Sequence, residues 1–327
     1  MSSTNLPGPA NQSLPGSAQT AGKFQTTIKT VGQPLKYGTR VTSSNPCAFL
    51  IMVDQSWSMT ETITDNRGRE KSKAEHVAMM INEFIGEIIL TCQRSDGMKN
   101  YFEILLLGYG QEDEEENSIV DILWEGPLKG KTWVTVDELK KGALRSETIT
   151  KPNPSPYGKP MLEQVVQVWL EPRGEGVTPM NTAIRRAVEL LEDWVDDHPD
   201  SFPPMVFNIT DGLLTDVNYF EELLESAEML KKVRTADGEV LFFNCLLDEA
   251  GDQQTFPYVT DGHLYKDNDY HRALFECSSV IPSNLKHAIG RPLERSDDVK
   301  GVILEANIDT VIRFLKIGTY TLKSNVI

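Results

Sequence analysis

The sequence predicts a doubly wound, three-layer α/β domain with a mostly parallel central sheet, and three observations predict it. Short apolar runs recur after Pro46, each of strand length and apolar at consecutive positions, which is the pattern of a strand buried on both faces. Amphipathic stretches with a helical period separate these runs. The two kinds alternate along the chain, and such alternation builds a parallel sheet with crossover helices on both faces.

Taken in order, residues 1–46 read as a flexible N-terminal tail. Residues 1–22 consist mainly of Ser, Thr, Gly, Pro, Asn, Gln and Ala and carry no charge, so they offer little to bury. Phe24 to Val31 is a candidate edge strand within the tail, although Gly and Pro interrupt it. The α/β domain spans residues 47–327. Its predicted strands are Ala48–Val53, Phe102–Leu107, Met205–Ile209 and Val240–Leu247. Val77, Ile81, Phe84, Ile88 and Cys92 mark one helix, and Ile184, Ala187, Leu191, Trp194 and Val195 a second. Further helices are expected over Tyr219–Val233, around His271–Cys277 and near Ile308–Ile317, with Tyr320–Ile327 as another candidate edge strand.

An insertion at about residues 110–172 breaks the alternation. It opens with the acidic run Glu112–Glu116, read first as a solvated loop and second as a calcium or basic-partner site. Trp124, Trp133, Val134 and Val136 follow, then the Pro-rich stretch Pro152–Pro160, and the insertion is expected to contain a strand pair and a short helix at Glu138–Leu144.

Composition narrows the function. The 327 residues are 39% hydrophobic and 24% charged, as in a soluble globular protein, and no apolar run approaches the ~18 residues of a membrane helix. With no signal-peptide pattern at the N-terminus, the expected compartment is the cytoplasm, with no membrane partner. The net charge is −16, and residues 1–46 hold four basic side chains and no acid, so the remainder carries −20. That surface repels phosphate backbones, which argues against a nucleic-acid partner. Cys47, Cys92, Cys245 and Cys277 form no CxxC pair and read as free buried thiols.

The chemistry is sought where open α/β sheets place ligands, beyond the carboxyl ends of the strands. Ala48–Val53 is followed by Asp54, Gln55, Ser56, Trp57 and Ser58, which puts one carboxylate and two hydroxyls at alternate positions. Met205–Ile209 is followed by Thr210, Asp211 and Gly212. Gly174, Glu175, Gly176, Val177, Thr178 and Pro179 lead into the second helix. Carboxylates and hydroxyls without His or Cys make a hard-oxygen donor set suited to Mg²⁺ or Mn²⁺. Two carboxylates only just neutralise a divalent ion, so the ion would stay electrophilic toward an outside acidic ligand.

These residues resemble the von Willebrand factor A (VWA) family and its metal-ion-dependent adhesion site: DxSxS at Asp54, Ser56 and Ser58, a loop threonine at Thr178 and an aspartate at Asp211. The resemblance covers roughly residues 47–320 and implies a Rossmann-like fold. It also implies metal ligation by Ser56 and Ser58, water-mediated roles for Asp54 and Asp211, a state-dependent role for Thr178, and a protein partner that supplies a Glu or Asp to the open coordination position. Two departures stand out. Trp57 occupies the position that is commonly Gly, and 120 positions separate Ser58 from Thr178. Pro203, Pro204 and the segment Asn208–Asp216 are similar to the unsecreted bacterial members associated with tellurium resistance or with phosphatases and kinases. That likeness implies a non-enzymatic scaffold in a signalling or stress-response complex, assembled with a kinase, phosphatase or ATPase.

Each motif also has a plainer reading. Thr178 before Pro179 looks like a helix cap, Asp211 like a turn residue, and Ser56 and Ser58 like loop caps. A second Thr-Asp-Gly occurs at Thr260, Asp261 and Gly262, where Pro257 interrupts the approaching strand. The rival function is a Mg²⁺-dependent phosphoesterase of the haloacid dehalogenase kind with Asp54 as nucleophile. That class places a second acid two residues on, where this chain has Ser56.

Overall fold

A computed structural model of the chain describes residues 37–64, 68, 70–113, 118–152, 161–212, 214–247, 254–294, 296–306 and 308–323. The chain divides into Met1–Pro34 and Leu35–Ile327, and every described residue belongs to the second unit. The predicted tail up to Lys36, its edge strand at Phe24–Val31, most of the acidic run, the Pro-rich stretch after Pro152 and the last four residues of the candidate strand Tyr320–Ile327 lie outside the described residues.

The predicted strands form, each extended by a residue or more or trimmed at one end. They are β1 (Cys47–Asp54), β2 (Phe102–Glu112), β7 (Met205–Thr210) and β8 (Leu241–Leu247), joined by short pieces β3 (Ser118–Ile122), β4 (Val134–Thr135), β9 (Gln254–Thr255) and β10 (Val302–Ala306). Between β4 and β7 lies a separate hairpin of β5 (Arg145–Pro152) and β6 (Met161–Val168). The helices are α1 (Lys73–Cys92), α2 (Val136–Lys141), α3 (Met180–Asp197), α4 (Phe220–Lys232), α5 (Asp269–Cys277) and α6 (Ile308–Lys323). The main sheet runs β9-β10-β8-β7-β1-β2-β3, with β4 also on β2. Strands β10, β8, β7, β1 and β2 are mutually parallel, and β3, β4 and β9 close its margins antiparallel.

Double burial of β1 explains its run of apolar residues. Phe49, Ile51 and Val53 pack on one face with Ile81 and Phe84 of α1 and Phe314 of α6, and Ala48, Leu50 and Met52 on the other with Ile184 and Leu191 of α3. Phe49 centres an aromatic group, its ring 4.7 Å from that of Phe102 and 5.9 Å from that of Phe207. All four cysteines are buried, and burial pushes the Cys92 thiol up to about 12.

Two expectations are corrected. Of Tyr320–Ile327, read as a candidate edge strand, the described part Tyr320–Lys323 is the last turn of α6. Val311, Phe314, Leu315 and Ile317 seal that helix against the sheet, and this burial overrides the strand preference of Tyr and Thr. Second, the region 110–172 is only partly an insertion, although it does hold a strand pair. Its first part completes the main sheet through β3 and β4, and the pair forms later as β5–β6, where Met161, Leu162 and Val165 are exposed. The short helix lies at Val136–Lys141, two residues ahead of the predicted start.

The order of strands fixes where a ligand can bind. From β1 the chain moves by α1 to β2 on one side, whereas β7, β8 and β10 follow on the other. The direction therefore reverses between β1 and β7, and a crevice opens beyond their carboxyl ends. Asp54 is the last residue of β1 and Thr210 the last of β7.

Candidate metal centre

The loop after β1 is folded by its own side chains. Asp54 is fully buried, and its Oδ1 accepts a 2.9 Å hydrogen bond from the Ser56 amide, a turn that Asp makes readily. Its Oδ2 accepts a 2.6 Å bond from the Thr210 hydroxyl across the strand boundary. Ser56 and Ser58, two apart, bring their hydroxyls within 3.2 Å of each other, and Ser58 donates to Asp211 Oδ1 at 2.7 Å. Ser56 stands at the cap position of the turn Trp57–Thr60 but makes no side-chain capping bond, and Ser58 lies within that turn, so both hydroxyls are free of a capping role.

Thr178 is the clearest departure from the plain reading. Pro179, not Thr178, is the cap residue of α3, and it makes no side-chain capping bond. The free amides of the first helical turn go instead to Asp216, whose Oδ1 accepts from Asn181 and whose Oδ2 accepts from Thr182. Thr215 Oγ1 accepts from the Thr178 amide at 2.9 Å. With capping done by Asp216, the Thr178 hydroxyl faces the crevice. A Cβ placed on Gly212 would lie 3.1 Å from Thr178 Oγ1, 3.3 Å from Ser58 Oγ and 3.8 Å from Asp54 Oδ2. Three oxygens, two from the loop after β1 and one from the loop before α3, thus surround one spot that the absent side chain of Gly212, in a third loop, leaves open.

The loops reach this proximity by backbone stitching. The amide of Gln55 donates to Tyr109 O, that of Glu175 to Gln55 O, and that of Trp57 to Gly176 O. Gly110, at φ +107°, lies where a Cβ would come within 2.7 Å of both the Ser56 amide nitrogen and the Val177 carbonyl oxygen. Only glycine fits that backbone and that approach.

All five residues singled out in the sequence, Asp54, Ser56, Ser58, Thr178 and Asp211, therefore meet at one place. The second Thr-Asp-Gly does not join them: Asp261 accepts from the Tyr258 amide at the start of the turn Val259–Tyr265. Sequence reasoning missed Thr210, Glu61 and Lys73. Lys73 donates 2.7 Å to Asp211 Oδ2 and 2.6 Å to Glu61 Oε2. The Ser72 and Glu75 capping box, readable in the sequence, sets Lys73 in the first turn of α1 but carries no signal of its partners.

The electrostatics follow from burial. Burial, opposed by hydrogen bonds from Ser56 and Thr210 and helped by repulsion from Asp211, leaves the Asp54 carboxyl raised to about 6. Burial disfavours the charge on Lys73, but Asp211 and Glu61 outweigh it and hold the ammonium above the usual lysine range. Among the described residues no group of three or more His, Cys, Asp or Glu is placed to hold a metal. Any ion here would depend on hydroxyls to complete its shell, which suits a small hard cation and not zinc or copper. The donor set fits such an ion, with Lys73 as a protein cation already on one carboxylate.

No protein-family model and no curated protein matches the sequence. Among solved structures, the vWF domain of the type V pili tip protein Mfa5 from Porphyromonas gingivalis aligns at 12% identity over 54% of this chain and 40% of its own, with a TM-score of 0.26. The pilus adhesin RrgA from Streptococcus pneumoniae aligns at 16% over 53% of this chain and 21% of its own, with a TM-score of 0.25. An uncharacterised membrane-spanning protein from Vibrio fischeri gives 11%, 63%, 74% and 0.23. The chain thus spans less than half the length of the two pilus proteins. Likenesses this weak say nothing about the chemistry of the crevice. No helix among the described residues is long and apolar enough to cross a membrane.

Proposed function

We propose that the chain is a cation-dependent protein-interaction module of the VWA kind, which docks an acidic side chain of a partner at the β1–β7 crevice. The observation that carries this reading is the meeting of the Ser58 and Thr178 hydroxyls and Asp54 beside Gly212, with Ser56 and Asp211 bonded to Ser58. Ser56, Ser58 and Thr178 would hold Mg²⁺ or Mn²⁺ directly, with Asp54 and Asp211 behind them. The ion, when bound, supplies an electrophilic point for an incoming carboxylate. The chain's own residues do the rest. Thr210 and the Ser56 amide fix Asp54, Ser58 is oriented by Asp211, and Asp216 and Thr215 hold the Thr178 loop in place.

Trp57 and Val177 form a rim for the partner. Trp57 is 71% exposed and Val177 48%, and the Trp57 amide is bonded to the residue before Val177. Exposed aromatic surface beside a polar centre is the composition of an interface anchor. The family likeness carried by Pro203, Pro204 and Leu214–Asp216 supports a signalling kinase, phosphatase or ATPase as the partner, in a bacterial cytoplasmic complex. The nucleophile reading has no geometric support: both Asp54 oxygens accept internal hydrogen bonds in a fully buried residue.

Titration calorimetry of the full chain with Mg²⁺ and Mn²⁺, alone and with Ser58→Ala, tests ion uptake. An array of short peptides with one Glu or Asp, each paired with its Gln or Asn counterpart, tests docking. The reading expects capture of the acidic peptides in Mn²⁺ and none in EDTA. Equal capture in EDTA, or ion uptake unchanged by Ser58→Ala, removes it.

A further inference from the structure

We propose that Lys73 is a tethered cation that competes with the divalent ion for Asp211 and thereby sets how tightly the centre takes that ion. The inference rests on the cation-site reading above and adds to it a residue outside the five-residue motif. Lys73 Nζ lies 2.7 Å from Asp211 Oδ2 and 2.6 Å from Glu61 Oε2, and the Lys73 backbone amide also donates to the Glu61 carbonyl at 2.9 Å. The side chains of Lys73 and Asp211 are 9% and 0% exposed, whereas that of Glu61 is 65% exposed.

The placement runs against local preference. Lys73 is the first residue of α1, at the end where the helix dipole disfavours positive charge, and the capping box at Ser72 and Glu75 fixes it there. A cation held against its own helix and neutralised by two carboxylates has a task that helix stability does not supply. In the metal-free chain it compensates Asp211, whose buried charge would otherwise stand unpaired. Asp211 is also the carboxylate bonded to Ser58, so a divalent ion at the hydroxyls meets an ammonium on the same group, and like charges at such separations repel strongly. Glu61, at the solvent margin, gives the ammonium a second resting place when the ion arrives. Lys73 thus acts as a positioning residue for Asp211 and as a brake on ion uptake.

The test measures Mn²⁺ affinity of the full chain by calorimetry in the wild type, Lys73→Met, Lys73→Arg, Glu61→Gln, Glu175→Gln and Ser58→Ala. Lys73→Met is expected to bind Mn²⁺ about tenfold more tightly or better, and Lys73→Arg, which keeps the charge, to stay within about twofold of wild type. Glu61→Gln leaves the ammonium on Asp211 alone and should weaken Mn²⁺ about threefold, more than Glu175→Gln, an exposed acid of the neighbouring loop. If Lys73→Met folds only when Mn²⁺ is added, as thermal melts would show, the ion has replaced the ammonium and the inference holds. If it does not fold at all, the two glutamate variants decide. Affinity unchanged or weakened in Lys73→Met, or a Glu61→Gln effect no larger than that of Glu175→Gln, overturns the role of Lys73 while uptake lost in Ser58→Ala leaves the site reading intact. If neither the wild type nor Lys73→Met takes up Mn²⁺, both readings fall.

Discussion

Both ends of the parallel sheet bury carboxylates, and they use them differently. At the amino ends Asp237 receives the backbone amides of Gly38 and Thr39 at 3.1 and 3.0 Å, one on each oxygen, beside a hollow of about 520 Å³ lined by Thr39, Arg40, Asp200 and Ala236. At the carboxyl ends Asp54 and Asp211 are met largely by side chains: the hydroxyls of Thr210 and Ser58 and the ammonium of Lys73. A backbone amide can only donate, and its direction is set by the chain. A hydroxyl rotates and can turn a lone pair outward. Amide-bound carboxylates fasten segments, and hydroxyl-bound ones can be shared with a visitor. The difference lies in the donors, not in the acids.

That contrast can be broken in several ways, beginning with the largest effect. Gly110→Ala should cost about 2–4 kcal/mol, because it forces a side chain into a positive-φ position against the Ser56 amide and the Val177 carbonyl. Urea denaturation reads the loss, and calorimetry should show ion uptake lost with it. A neutral result would mean that the loops are not held by this approach.

Asp54→Asn should stabilise the ion-free chain at pH 8 by about 1–3 kcal/mol while abolishing ion uptake. The sign follows from the raised carboxyl: the folded state holds its proton up to about pH 6, above the unfolded value, so the contribution to stability is present at low pH and is lost as pH rises through about 6. Denaturation midpoints at several pH values between 4 and 8 should slope downward in the wild type relative to Asp54→Asn. A parallel pair of profiles would remove the buried charge from the account.

At the other end, Asp237→Asn should cost about 1–2 kcal/mol, since one amide loses its acceptor, with Mn²⁺ affinity unchanged. A change in ion uptake there would show that the ends are coupled. Smallest of all, Trp57→Ala should leave stability within about 0.5 kcal/mol, as the side chain is mostly exposed, yet weaken capture of acidic peptides. Full capture without Trp57 would take the rim out of the docking surface.

The central strands and the carboxyl-end half of this contrast were legible in the sequence, whereas Asp237 at the amino ends was not, for particular reasons. Strands such as Ala48–Val53 announce themselves because both faces must be apolar, and Asp54 and Asp211 because an acid ends such a run. Short margins such as Val302–Ala306 carry too few residues for a period, and the end of α6 reads as strand because Tyr and Thr do so locally while Phe314 and Leu315 decide otherwise. Thr178 alone could not be told from a cap, since only the fold shows Asp216 doing the capping. Lys73 stayed hidden because its partners, Glu61 and Asp211, are 12 and 138 positions away.

The four sequestered thiols give the fold an internal set of clocks. Cys47 starts β1, Cys245 sits within β8, Cys92 closes α1 and Cys277 closes α5, so each marks a different element. An alkylating reagent can reach a sulfur only when its element opens, and the labelling rate at each position then ranks the elements by how often they come apart. Mass spectrometry of timed samples, with and without Mn²⁺, would show which parts of the scaffold tighten when the crevice is filled.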